Sequence, residues 1–145
     1  MPEQETMERA REDAREGKSG STQAGEFVRE EMHHIREGKH GARSSKQAIA
    51  IGLSKARRAG VKLSAPKGSA ALRKKAAQDE AAGKHPRRKI SAKRSRATEA
   101  ALKREPRNSA SKSALSRQTK RAAAKRGKRA RSESAEKAAR TRKAA

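Results

Sequence analysis

Only 12 of the 145 residues are Leu, Ile, Val or Phe, about 8% of the chain. Below about 20%, with a high net charge, a chain has too little apolar surface to offset the entropy of ordering it, and disorder becomes the expectation. A hydrophobic fraction of 31% does not change this, because 30 of those residues are Ala. Alanine favours helix but buries little surface. Most of the 12 large residues lie between Phe27 and Leu63. A conventional enzyme, whose pocket needs walls supported by a large core, is not expected.

Charge is also distributed unevenly along the chain. The 40 Lys and Arg against 16 Asp and Glu give a formal charge of +24. Residues 1–40 carry 7 basic and 10 acidic side chains, whereas residues 41–145 carry 33 basic and 6 acidic ones. A near-neutral head on a long cationic body points to a polyanion partner. There is no Cys, which excludes disulfides, thiolate metal sites and cysteine nucleophiles. No apolar run approaches the roughly 20 residues of a membrane span, so no membrane partner is expected. Met1–Thr6 is acidic and polar, unlike a secretory signal, and the expected location is the cytoplasm, or the nucleoid within it.

Helix punctuation is legible along the whole chain. A first helix is predicted over about Thr6–Glu16. Having no apolar stripe beyond Met7, Ala10 and Ala14, it reads as frayed and solvated, and Gly17 ends it. A second runs over Thr22–Glu37, with Ala24, Phe27, Val28, Met32 and Ile35 on one face, and Gly38 stops it. A third, Ser45–Ala59, opens with Ser44 and Gln47 at capping-box spacing. It ends at Gly60, with Val61 placed to pack back on Ala56. Arg15-Glu16-Gly17-Lys18 recurs as Arg36-Glu37-Gly38-Lys39, a repeat of punctuation rather than of architecture, since a solenoid needs three or more copies. Beyond Leu63, Pro66, Pro86 and Pro106 separate helix-capable pieces at Ser69–Ala82, Ser91–Glu105, Ser109–Arg126 and Glu133–Ala144. Each has at most one large apolar residue, and isolated helices of that length are marginal in water.

The fold class expected is therefore mostly α with extensive disorder. An acidic, mixed-charge helix and linker (1–21) precedes a small helical hairpin (22–63). A long basic tail (64–145) follows, helix-prone but largely disordered. The apolar hairpin is also the segment that would serve as an anchor or a homodimer interface.

The most localised candidate for chemistry is Gly38–Ser45. Two glycines allow a close backbone approach, Lys39 and Arg43 supply charge, and the chain then enters a capped helix N-terminus, an anion-binding end. It lacks the order of a Walker A loop. His33, His34 and His40, with Glu30 and Glu37 nearby, invite a metal reading. Adjacent His33 and His34 diverge by about 100° on a helix, and no His-Glu-x-x-His spacing is present. Surface histidines, no metal, no cofactor and no catalytic residues are expected. The phosphate-contacting candidates are Lys39, Arg43, Ser44, Ser45 and Lys46 in the loop, and Lys55, Arg57 and Arg58 after it. Arg73, Lys74, Lys75, Arg87, Arg88, Lys89, Lys93 and Arg94 follow in the body, then Lys120, Arg121, Lys125, Arg126, Lys128 and Arg129. Each cation that neutralises a phosphate releases counterions and gives affinity without sequence information. With Phe27 the sole aromatic, base-stacking platforms for single strands are not expected. No zinc-finger, homeodomain or zipper pattern supports base readout.

Residues 38–61, GKHGARSSKQAIAIGLSKARRAGV, resemble the signature of a family of small basic bacterial proteins of unknown function commonly labelled DNA-binding. Gln23–Met32 and Ala101–Pro106 look familial too. The Ala/Lys/Arg/Ser-rich body is similar in composition to histone-like tails. The resemblance implies DNA binding and attaches no mechanism. The charge argument adds the rest of the expectation: a non-enzymatic, sequence-tolerant DNA-binding protein that acts by neutralising the phosphate backbone, with nucleoid association as an option. The alternatives are an RNA- or ribosome-associated basic protein, and a hydrophilic stress protein or adaptor working through residues 1–63.

Overall fold

The computed structural model describes residues 2–85 and 91–144. Helix α1 spans Gln4–Arg15, α2 Gly20–Arg36, α3 Ser45–Arg58, α4 Ala70–Lys84, α5 Ala92–Lys103 and α6 Lys112–Ala144. A short 3-10 turn occupies Asn108–Ala110. The chain divides into two compact units, Met1–Ala110 and Ser111–Ala145.

The fold class differs from the sequence expectation: the described residues are all-helical in class, 77% of them in helices, and the chain is not extensively disordered. The segments beyond Pro66 expected to form a largely disordered tail are helices, and α4 packs against α3. Counting large apolar residues missed three physical sources of order. Ala, Lys and Arg are strong helix formers whose preferences add over each segment. Serines cap the starts, Ser69 accepting from Leu72 N–H, Ser91 from Arg94 N–H and Ser111 from Ala114 N–H. Small residues also allow packing that needs little side-chain bulk. Ala76 and Asp79 of α4 are buried although neither is a large hydrophobe.

The core of the first unit lies between α1, α2 and α3. Ala10, Ala24, Phe27, Ala56 and Val61 are buried together, with Met7, Leu53, Ala59 and Leu63 packed against them. Phe27 is 1% exposed and Ile35 fully buried, and complete burial of such side chains stabilises by roughly 1.5–3 kcal/mol each. Helix α1 is not the solvated helix expected. Thr6 and Ala10 are buried against α2, and Arg9 Nε donates to Glu26 Oε2 of α2 at 2.7 Å. Its small inward residues let it lie close without a broad apolar stripe.

The internal repeat now has a structural meaning. In both copies the glycine takes a left-handed conformation, Gly17 at φ +71° and Gly38 at φ +80°. In both, the following lysine N–H returns to the third carbonyl from the helix end, Lys18 to Asp13 O and Lys39 to His34 O. This is the Schellman stop, which glycine adopts without the steric cost other residues incur. Helix α3 ends the same way, with Val61 N–H donating to Ala56 O at 3.0 Å.

Segment 102–110 docks on the turn after α2. Gly41 N–H donates to Leu102 O at 2.9 Å and Ala42 N–H to Pro106 O at 3.0 Å. Arg36 Nε donates to Ala110 O at 3.0 Å, and the buried Ser45 hydroxyl donates to Ser109 O at 2.6 Å. A stretch that reads in sequence as a break between helices is thus a strap over the α2–α3 turn.

Helices α2 and α3 meet at backbone distance. A Cβ built on Gly52 would lie 2.7 Å from Val28 Cα, whereas one on Gly25 of α2 meets nothing within 4 Å. Gly52→Ala should therefore destabilise by about 1–3 kcal/mol through overpacking, despite its gain in helix propensity. Gly25→Ala should stabilise by roughly 0.5–1 kcal/mol. Denaturant melts of the two variants should shift in opposite directions, and shifts of the same sign would refute the close approach.

Asp79 staples α4 to α3. Its carboxylate accepts from Ser54 Oγ at 2.7 Å, Arg58 Nε at 2.8 Å and Lys75 Nζ at 2.8 Å. Burial pushes its pKa up, but the hydrogen bonds from Lys75, Ser54 and Arg58 outweigh that and hold it below the ordinary value. The unfolded chain then binds the proton more readily. The stabilisation is full above the ordinary pKa of about 3.9 and is lost as pH falls through the lower folded value. Asp79→Asn should be less stable than the parent at pH 7, with the gap closing below about pH 4. Thermal melts across that range would show it, and a gap independent of pH would sink the assignment.

Candidate nucleic-acid interface and a buried polar cluster

The predicted phosphate contacts separate into two groups once their surroundings are visible. In the 38–45 loop most backbone donors are already bonded within the protein. Gly38 and Lys39 close the end of α2, Gly41 and Ala42 hold the strap, and Arg43 N–H donates to Gln47 Oε1 at 2.8 Å. Ser44 Oγ caps Gln47 N–H, and Ser45 is buried on Ser109. The loop is thus a structural turn rather than a vacant cradle of amides, and its offer to an anion is the exposed side chains of Arg43 and Lys46. Lys39 is exposed but bridges Glu3 and Glu37, at 3.1 Å from each.

Farther on, Arg57 is half-buried, while Arg58 and Lys75 sit on Asp79. Arg73 and Lys74 on α4 and Lys93 and Arg94 on α5 are exposed. Arg87, Arg88 and Lys89 lie outside the described residues. In the second unit, Lys120, Arg121, Lys125 and Arg126 are exposed before Gly127, where non-helical backbone (φ 76°, ψ 167°) breaks α6 into two rods. Lys128 and Arg129 follow it, Arg129 pairing with Glu133 at 3.0 Å. Arg117, Arg121 and Lys125 recur every four residues, a like-charge row that costs stability in an isolated helix.

Lys55 departs furthest from the predicted role among the basic candidates. It is turned inward, with Nζ 2.7 Å from Glu31 Oε2 and 3.2 Å from Glu30 Oε1. Burial pulls its pKa down, but the Glu31 and Glu30 carboxylates outweigh this and raise it, keeping it charged. Glu31 is fully buried and Glu30 4% exposed. Burial pushes the Glu30 pKa up, while the Glu3 backbone N–H at 3.0 Å and the Lys55 ammonium bring it below the ordinary value.

Two histidines complete the cluster. His34 Nε2 is 2.8 Å from Glu3 Oε1, with Nδ1 3.9 Å from Glu30 Oε1. His40 Nε2 is 3.2 Å from Glu31 Oε1, and its Nδ1 is 3.0 Å from Gly41 O. The exposed Glu3 carboxyl, hydrogen-bonded to His34 and Lys39, is pulled down to about 2. His33 is on the surface, as the sequence suggests, but His34 and His40 are largely buried. Glu31 did not stand out in sequence. The available signal was the Glu31-x-x-His34 spacing, which places a carboxylate and an imidazole on one helix face. The left-handed turn at Gly38 then folds His40 back over the end of α2.

Comparison with protein-family models, curated proteins and solved structures returned no match.

Because Lys55 neutralises two buried carboxylates, Lys55→Ala should cost about 3 kcal/mol, the penalty of leaving a buried charge unpaired. Lys46→Ala, on the exposed face of the same helix, should be within about 0.5 kcal/mol of the parent. Equal melting temperatures for the two variants would contradict the inward placement of Lys55.

Proposed function

We propose that the protein binds duplex DNA without strong sequence preference, through its phosphate backbone. The observation that carries this reading is the segregation of charge on folded helices. Carboxylates gather on α1 and α2, many of them already paired, while exposed cations line α4, α5 and α6. Residues 111–145 alone carry 13 basic and 2 acidic side chains. Rows of like charge on a helix repel one another, and a polyanion relieves that repulsion as it releases its counterions. Phe27, the sole aromatic, is 1% exposed in the core and offers no surface for stacking bases. Among the described residues no helix is long and apolar enough to cross a membrane, and the polyanion in this reading is a nucleic acid rather than a lipid surface. The chain coats DNA and performs no chemistry on it, in keeping with a role in organising the nucleoid.

If about eight phosphates are engaged at once, log affinity against log salt should fall with a slope of about −7, from roughly −0.9 per phosphate. Native and scrambled duplexes of equal length should compete within a few-fold, and structured RNA should compete less well at matched salt. Removing residues 111–145 should make the slope shallower. Affinity indifferent to salt would rule out phosphate coating, and preference for RNA would move the target to A-form backbones.

A further inference from the structure

Glu31 is fully buried, yet neither of its carboxylate oxygens receives a well-directed hydrogen bond. Its neighbours are ion-pair contacts, Lys55 Nζ 2.7 Å from Oε2 and His40 Nε2 3.2 Å from Oε1, and neither completes a hydrogen-bond geometry. Buried carboxylates left in that condition are rare, because the desolvation cost is not recovered.

We propose that Glu31, His34 and His40 form a binding site for a divalent transition-metal ion, with Zn2+ the fitting choice. One carboxylate oxygen and one nitrogen from each imidazole lie within 4.8 Å of one another. His40 Nε2 and Glu31 Oε1, at 3.2 Å, already stand about as far apart as two ligands of a tetrahedral zinc with bonds of roughly 2.0–2.2 Å. The His34 nitrogen lies within the same 4.8 Å and closes on the ion by a side-chain adjustment. Two imidazoles and a carboxylate suit zinc and its neighbours rather than Ca2+ or Mg2+, which prefer all-oxygen shells. Lys55 holds the opposite oxygen, Oε2, leaving Oε1 for the metal.

The surroundings of both imidazoles match what metal-bound histidines require. Such a ring donates its other N–H to a carboxylate or a backbone carbonyl, which fixes the tautomer and the ring orientation. His34 has Glu3 at Nε2 and His40 has the Gly41 carbonyl at Nδ1. Gly41 is itself pinned, since its N–H is bonded to Leu102 O and a Cβ there would lie 1.8 Å from Glu105 O. The strap over the α2–α3 turn therefore positions the His40 ligand. This site is independent of the DNA-binding reading, and either can fail without the other.

The test is titration of the full chain with Zn2+ by calorimetry, and with Co2+ by visible absorption. One ion per chain should bind, with the intense absorption of tetrahedral Co2+ and a rise in melting temperature. Glu31→Gln and His40→Ala should abolish the bound ion. Glu3→Gln, which alters a partner of His34 and no ligand, should weaken binding by about 10–100-fold. His33→Ala should leave it unchanged, and that variant also controls for loss of fold. The proposal is overturned if Co2+ gives the pale spectrum of an octahedral aquo ion. Equal weakening by His33→Ala and His40→Ala, or binding retained in both Glu31→Gln and His40→Ala, would overturn it too.

Discussion

The first unit depends on two helix backbones lying almost in contact. At Gly52 the α3 backbone sits so close to Val28 of α2 that a methyl group has no room. Alanines at 24, 48 and 56 are fully buried in the same unit. A chain with 12 large aliphatic or aromatic residues has little bulk to place between helices. It gains dispersion contacts by bringing main chains together instead, since many weak contacts at close range sum to a large attraction. Phe27 and Ile35 fill the space the small residues leave, and α1 and the strap cover what α2 and α3 still expose.

That close approach also explains why charged groups lie inside so small a unit. Glu30 and Glu31 project from the face of α2 that turns toward Lys55 of α3, and helices packed this tightly exclude water from between them. The Glu30 carboxylate is then kept ionised by the Glu3 N–H and by Lys55, and Glu31 pairs with the same ammonium. Asp79 repeats the device between α3 and α4 with Arg58, Lys75 and Ser54. Buried charge of this kind is weak evidence for stability in itself. Its effect here is positional, fixing which face of each helix points inward when few large side chains are present to specify it.

The same arrangement sorts the cations. Lys55 is absorbed into the fold by buried carboxylates and Arg58 is tied to Asp79. The cations on α5 and α6 stay in water, even those paired with a carboxylate such as Arg129 with Glu133. Sequence clusters such as Lys55-Ala56-Arg57-Arg58 therefore mix structural and solvent-facing charge, and adjacency along the chain does not separate them. Helical phase does, because successive residues differ by about 100°.

Helix boundaries were legible in the sequence because they depend on neighbours along the chain. The Ser44–Gln47 cap, the glycine stops at 17, 38 and 60, and the break near Gly127 are all local chemistry, set by a few consecutive residues. The net charge of the cationic body is likewise a property of composition. What the sequence could not supply was anything decided by residues far apart. Examples are the docking of α1 through Thr6 and Ala10, the strap from Leu102 to Ala110 on Gly41 and Ser45, and the convergence of Glu31, His34, His40 and Lys55. These depend on distances of closest approach between backbones, which small side chains permit but no periodicity encodes. Order beyond Pro66 was missed for a different reason, since helix propensity and serine caps supply it locally without apolar bulk, and the docking of α4 on α3 adds a long-range contribution.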